Sequence, residues 1–165
     1  MMRIAGTRLA IVAGVVVLLD QLTKLLVLAR LAPGVAVPVI DGVLSLTLVQ
    51  NRGLAFGLLG GVPPGWRWMV VLLSFAALAV LVRVALRVLP RGGVIDHGTL
   101  GLIFGGAVGN LIDRWRLGAV VDFVDVYYRA WHWPAFNLAD SAITVGVVVL
   151  ALRLMTDGRS VHSTA

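Results

Sequence analysis

The chain has 165 residues, of which 59% are hydrophobic and 13% charged; a soluble domain carries about 25% charged residues, and a chain this short cannot enclose so much apolar surface in one core. Lipid is therefore the expected solvent. Cysteine is absent, which excludes disulfides, thiolate metal sites and cysteine nucleophiles; the net charge of +6 comes from arginines that flank apolar runs, a pattern of membrane topology that excludes a nucleic-acid partner.

Four segments approach the ~20 apolar residues that span a bilayer: residues 9–31, 66–89, 93–112 and 138–155. All six prolines, at 33, 38, 63, 64, 90 and 134, lie outside them, as helix interiors require. Arg3 and Arg8 before the first apolar run resemble a signal peptide. No A-x-A-like cleavage site follows, however, and the run continues past Asp20 to spanning length, so a retained helix is expected. Between the first two helices, residues 35–49 alternate and are β-branched, with Asp41-Gly42 as a turn signal, which predicts two short strands. The Gly/Pro-rich residues 60–65 read as a loop. Residues 113–137 read as a second outer loop whose Trp131, Trp133 and tyrosines form an interfacial belt. The tail from 156 to 165 is polar and expected to fray. The whole chain, 1–165, reads as one integral membrane domain, mainly α, with four transmembrane helices and a small extracytoplasmic β-sheet between helices one and two. Arginine placement favours both termini on the cytoplasmic side.

An ionisable residue within a span costs at least ~2.5–3.5 kcal/mol on insertion scales, so each one needs a reason. Helix one carries Asp20 and Lys24, spaced i, i+4 with the acid first, the better order for an ion pair. Helix three ends in Asn110, Asp113 and Arg114, with Gly106, Asn110 and Asp113 on one face; Gly101, Gly105 and Gly109 form a small-residue stripe suited to close helix packing. Helix four begins at Asn137 and Asp140, which N-capping and the helix dipole could explain without chemistry. With the N-terminus inside, these residues and Asn51-Arg52, Asp122 and Asp125 all face the outer leaflet. Residues serving structure alone have little reason to collect at one depth.

The inventory narrows the chemistry. His97, His132 and His162 have no ligand spacing, and outside the C-terminal tail no serine has an adjacent histidine. No metal or other cofactor is implied. Two carboxylates sharing a proton, one acting as base to water and the other as acid, fit what remains. Spacing leaves open which two of Asp20, Asp113, Asp122, Asp125 and Asp140 form the pair.

Five motifs in order, Asp20-Gln21-x-x-Lys24, Asn51-Arg52-Gly53-x-Ala55-Phe56, Gly105-Gly106-Ala107-x-Gly109-Asn110-x-x-Asp113-Arg114, Gly118-x-Val120-x-Asp122-Phe123-Val124-Asp125 and Phe136-Asn137-x-Ala139-Asp140, resemble those of lipoprotein signal peptidase (signal peptidase II). The resemblance implies an aspartic endopeptidase of the bacterial inner membrane that cuts diacylglyceryl-modified prolipoproteins just before the lipidated cysteine. It implies Asp122 and Asp140 as the catalytic pair. Asn51, Asn110, Arg114 and Asn137 would hold substrate and orient the carboxylates, with Asp20, Lys24 and Asp113 as a supporting network and Arg52 and Gly106 as further site residues. Globomycin-type inhibitors would occupy the same groove of a monomer. The alternatives are a non-catalytic lipoprotein-binding relative and a carboxylate-lined carrier. A carrier needs a polar path through both leaflets, whereas the inner halves of helices two to four carry no ionisable residue short of their cytoplasmic ends.

Overall fold

The computed structural model describes residues 2–53 and 67–160. Among them the chain forms α1 (Met2–Arg30), β1 (Val37–Ile40), β2 (Leu44–Asn51), α2 (Arg67–Val88), α3 (Val94–Leu117), β3 (Val120–Tyr128), β4 (Trp131–His132) and α4 (Leu138–Ser160). At 1.5 Å per residue the helices are roughly 33–44 Å long. Residues 2–30 and 68–88 are long and apolar enough to cross a membrane by length and composition; Asp, Asn and Gly dilute the hydropathy of α3 and α4.

The helix boundaries differ from the apolar runs for a physical reason. Hydropathy marks where lipid ends, whereas a helix ends where its backbone ladder ends. Thus α1 begins at Met2, seven residues before the apolar run, because Arg3 and Arg8 are good helix formers. Likewise α3 continues past Ile112 through Asp113, Arg114 and Arg116 until Gly118 takes a left-handed φ of 68° and its N–H bonds Arg114 O, a C-terminal stop that glycine adopts without strain. The polar stretch from 156 onward continues α4 as far as Ser160, as no proline interrupts it. The expected loop at residues 60–65, Ala55, Phe56, Trp66 and residues 161–165 lie outside the described residues.

The largest correction concerns the second outer loop. Residues 120–128 are not loop but β3, which pairs antiparallel with β2 (Val49↔Asp122, Asn51↔Val120, Ser45↔Asp125). The two expected strands are present, and they belong to a four-stranded sheet ordered β1-β2-β3-β4. Val27 of α1, Leu48 of β2, and Val121 and Phe123 of β3 cluster together, which fixes the sheet to one end of the helices.

The helices are arranged inside out relative to a soluble bundle. Ile11, Leu18, Leu22, Phe75, Val80, Val148 and Leu152 are exposed, while Lys24, Asn137, Asp20 and Asp122 are among the largest fully buried side chains. Water would punish that distribution and lipid rewards it. In the middle α3 touches the other helices closely. A Cβ on Gly105 would sit 2.6 Å from Val16 Cβ, and one on Gly109 would sit 2.5 Å from Asp20 Oδ2. The stripe therefore admits α1 and, with it, the Asp20 carboxylate. At the end away from the sheet, Arg153 of α4 pairs with Asp96 of α3 at 3.2 Å through Nε and Nη2, and Asp96 accepts the Gly93 N–H at 2.7 Å.

Candidate active site

Asn137 and Asp140 bond reciprocally at the start of α4: Asp140 N–H donates to Asn137 Oδ1 at 2.9 Å, and Asn137 N–H donates to Asp140 Oδ2 at 3.3 Å. This is a capping box, so the local explanation of the two residues holds. It is also incomplete, because each has a second partner far away in sequence. Asn137 Nδ2 donates to Asp122 Oδ1 at 2.7 Å, and Asp140 Oδ1 accepts from Asn110 Nδ2 at 2.8 Å. Asn137 is thereby bonded to both carboxylates. Asn51, at the end of β2, closes the arrangement by donating its Nδ2 to Asp122 Oδ2 at 3.0 Å while its Oδ1 accepts the Gly53 N–H.

Asp125 is placed elsewhere. Successive strand residues point to opposite faces, so two aspartates three apart cannot share one. Asp122 turns toward Asn137 and Asn51. Asp125 turns away, where its carboxylate accepts from Ser45 Oγ at 3.0 Å and lies 2.9 Å from His132 Nδ1.

Behind the pair lies the buried network of Lys24. Its Nζ reaches Asp20 Oδ2 at 2.8 Å, Asp113 Oδ2 at 2.8 Å and Asn110 Oδ1 at 3.1 Å. Asp20 Oδ1 accepts the Ala139 N–H at 3.0 Å and Asp113 Oδ2 the Val121 N–H at 3.1 Å. One cation thus ties the start of α4 and the start of β3 to α1 and α3. Because Asn110 presents its carbonyl to Lys24, its amide N–H is left for Asp140, which fixes the side chain's orientation. Uncompensated, either buried carboxylate would cost several kcal/mol. Gln21, which the first motif contains but which was not among the expected site residues, donates to Asp113 Oδ1 at 3.0 Å. Its proximity to the network follows from tertiary packing alone, although its place beside Asp20 is a usable signal.

Arg114 reaches Gly53 O at 3.1 Å and Asn110 O at 3.4 Å; burial holds its guanidinium below the ordinary value, and the charges of Asp140, Asp122 and Asp113 oppose that effect. Gly106 sits one turn before Asn110, where a Cβ would collide with the Ala139 backbone and Ile143 of α4. Arg52 is exposed and lines a smaller cavity of about 340 Å³.

Asp122 and Asp140 both line a groove of about 560 Å³ whose other walls include Leu73 and Ala77 of α2 and the segment Trp133 to Phe136. This wall was not anticipated from sequence, since Trp133 read as part of a lipid-facing belt. Burial pushes the Asp122 carboxyl up to about 7, with the neighbouring charge of Asp140 adding to the effect. The amides of Asn51 and Asn137, and then Lys24, act in the opposite direction. A carboxyl with that value beside a second carboxylate can exchange a proton near neutrality.

The sequence profile of a peptidase family described as "Signal peptidase (SPase) II" matches residues 12–156. A lipoprotein signal peptidase of Geobacter sulfurreducens is 46% identical over 150 residues, covering 91% of this chain and 92% of the relative. One from Paraburkholderia phytofirmans is 50% identical over 143 residues, covering 86% and 80%. A bacterial membrane enzyme solved by the in meso method at 2.3 Å resolution superposes with a TM-score of 0.79 at 29% identity, covering 97% of this chain and 94% of that one. A second, at 1.9 Å, gives 0.74 at 31% identity, covering 92% and 94%.

Proposed function

The chain belongs to the lipoprotein signal peptidase family, and from that premise we propose that it hydrolyses its substrate with Asp122 and Asp140 as a proton-sharing pair. Membership makes it a peptidase of lipoprotein signal peptides. The proposed reading is finer: the substrate is a diacylglyceryl-modified prolipoprotein, and the bond cut is the one just before the lipidated cysteine.

The observation that carries this reading is that Asn137 bonds both carboxylates where they line one groove. With one proton on the pair, the ionised carboxylate takes a proton from water as the water oxygen attacks the scissile carbonyl. The protonated carboxyl gives its proton to the carbonyl oxygen, which yields a tetrahedral diol. Transfer of a proton to the amide nitrogen then breaks the C–N bond, releases the signal peptide as a carboxylic acid, and leaves a free amine on the cysteine. Asn51, Asn110 and Asn137 hold the carboxylates in place, and Arg114 orients substrate beside them. The mainly apolar groove suits a substrate that arrives through lipid.

In the proposed placement, one integral membrane domain crosses the bacterial inner membrane four times with both termini cytoplasmic. Asp20, Asn110 and Asp140 would then lie toward the outer leaflet, with the sheet beyond them. The enzyme would act as a monomer, and globomycin-type inhibitors would fill the groove.

The test is turnover of a diacylglyceryl-modified prolipoprotein, read as loss of the signal-peptide mass. An amide cannot accept the proton of water, so Asp122→Asn and Asp140→Asn should each lower kcat by at least ~10²–10⁴-fold, the contribution of one general acid or base. Asp125→Asn, on the opposite face of β3, should keep most of the wild-type kcat. Full activity in both single variants at 122 and 140 would end the aspartic mechanism.

A further inference from the structure

Asp125 is a buried carboxylate that the reaction does not use. It lies on the face of β3 opposite Asp122, and it links three strands: Ser45 Oγ of β2 donates to its Oδ2 at 3.0 Å, and His132 Nδ1 of β4 lies 2.9 Å from its Oδ1 and 3.1 Å from its Oδ2. The His132 ring stacks on Tyr127 with centroids 5.3 Å apart. The backbone holds β4 weakly, since the strand has only two residues and pairs only with Tyr127 and Tyr128. Directly after it come Trp133, Pro134, Ala135 and Phe136, which wall the groove, and Pro134 and Ala135 also line the second cavity next to Asp122. Trp133 N–H bonds Val126 O and Phe136 N–H bonds Val124 O, while Pro134, between them, has no N–H to give. The side-chain link from His132 to Asp125 adds to these backbone bonds on the β4 side of this wall.

Resting on the peptidase reading above, we propose that His132 is a positioning residue for the substrate groove. With Asp125 and Ser45 it forms a latch on the back of the sheet that sets the 133–136 wall. Among the described residues, the titratable groups facing the ring are Asp125 and Tyr127 of β3. Asp41 stands in the β1–β2 turn, where the Gly42 N–H reaches the Tyr127 hydroxyl. Arg129 is engaged over the Tyr128 ring at 5.3 Å. The bond from Ser45 keeps the Asp125 carboxylate oriented toward the ring.

The experiment measures kcat and KM for a diacylglyceryl-modified prolipoprotein in lipid nanodiscs at one neutral pH, with wild type, His132→Gln and His132→Leu. His132 is half-exposed, so its link to Asp125 is a solvated contact whose loss should raise KM about two- to five-fold. His132→Leu should show that rise, and His132→Gln, which keeps a donor, should stay near the wild-type KM. The kcat, set by the aspartate pair, should be common to all three. A wild-type KM in His132→Leu overturns the proposal, as does a fall in kcat matching the change in KM, or a rise of KM in His132→Gln as large as in His132→Leu. A parallel measurement separates this from failure of the peptidase reading: the Kd of the same prolipoprotein for Asp122→Asn, with and without His132→Leu. A higher Kd with His132→Leu, without any wild-type turnover, would retain the latch and reject the peptidase. Turnover with an unchanged Kd would do the reverse.

Discussion

Replacing Asp122 by Asn should abolish turnover and yet stabilise the protein in alkaline buffer. The wild-type carboxyl goes from an ordinary 3.8 to about 7 in the fold, so between those values the folded state binds more protons than the unfolded state. Stability then falls as pH rises from about 4 to about 7 and levels off above it. Three pH units at 1.36 kcal/mol each come to ~4 kcal/mol lost by pH 8, against ~2 kcal/mol at pH 5. Asparagine escapes this loss at every pH, including the part of it that comes from repulsion with Asp140. It has its own cost, because its single carbonyl can serve only one of the Asn51 and Asn137 amides and its NH₂ then faces the other. A lost buried hydrogen bond costs ~1–3 kcal/mol and does not depend on pH. The variant should therefore be near parity with wild type at pH 5 and gain ~2–3 kcal/mol on it by pH 8. At about 2–4 °C per kcal/mol for a chain of this size, the Tm difference should widen by roughly 4–12 °C. Thermal unfolding in detergent followed by tryptophan fluorescence at the two pH values reads this directly, with Asp41→Asn, an exposed carboxylate of the β1–β2 turn, as a control for general pH effects. A Tm difference identical at pH 5 and pH 8 would refute the reasoning, since Asp122 would then ionise alike in both states.

Two further outcomes are expected. Gly105→Leu should sharply lower the folded yield in detergent, because even a Cβ there would stand 2.6 Å from Val16 Cβ; a normal yield and activity would mean that α1 and α3 do not pack as described. Reporters fused after Ala165 and inserted at Gly61 should report opposite sides of the membrane, and the same side for both would remove the argument for one outer-leaflet site.

Much of the site is legible in the sequence for an energetic reason. A charge inside an apolar run must be compensated, so Asp20, Lys24 and Asp113 announce a polar core before any packing is known. Local capping rules also identify Asn137 and Asp140 as a pair, and the capping box is present. Sequence periodicity could not identify β3. Its partner β2 lies some seventy residues upstream, and its two aspartates read as loop polarity until that pairing assigns them to opposite faces. The groove wall at Trp133 to Phe136 was similarly hidden, because an aromatic residue at a membrane boundary has the same composition whether it faces lipid or a cavity.

The sequence by itself determined that this protein lives in lipid, that it has four long helices, and which carboxylates needed explaining, because solvation energy acts residue by residue. Only the tertiary structure decided that Asp122 meets Asp140 through Asn137 while Asp125 meets His132. That choice depends on strand register and helix contact, which bring residues from α1, β2, α3, β3 and α4 to one point and have no local signature.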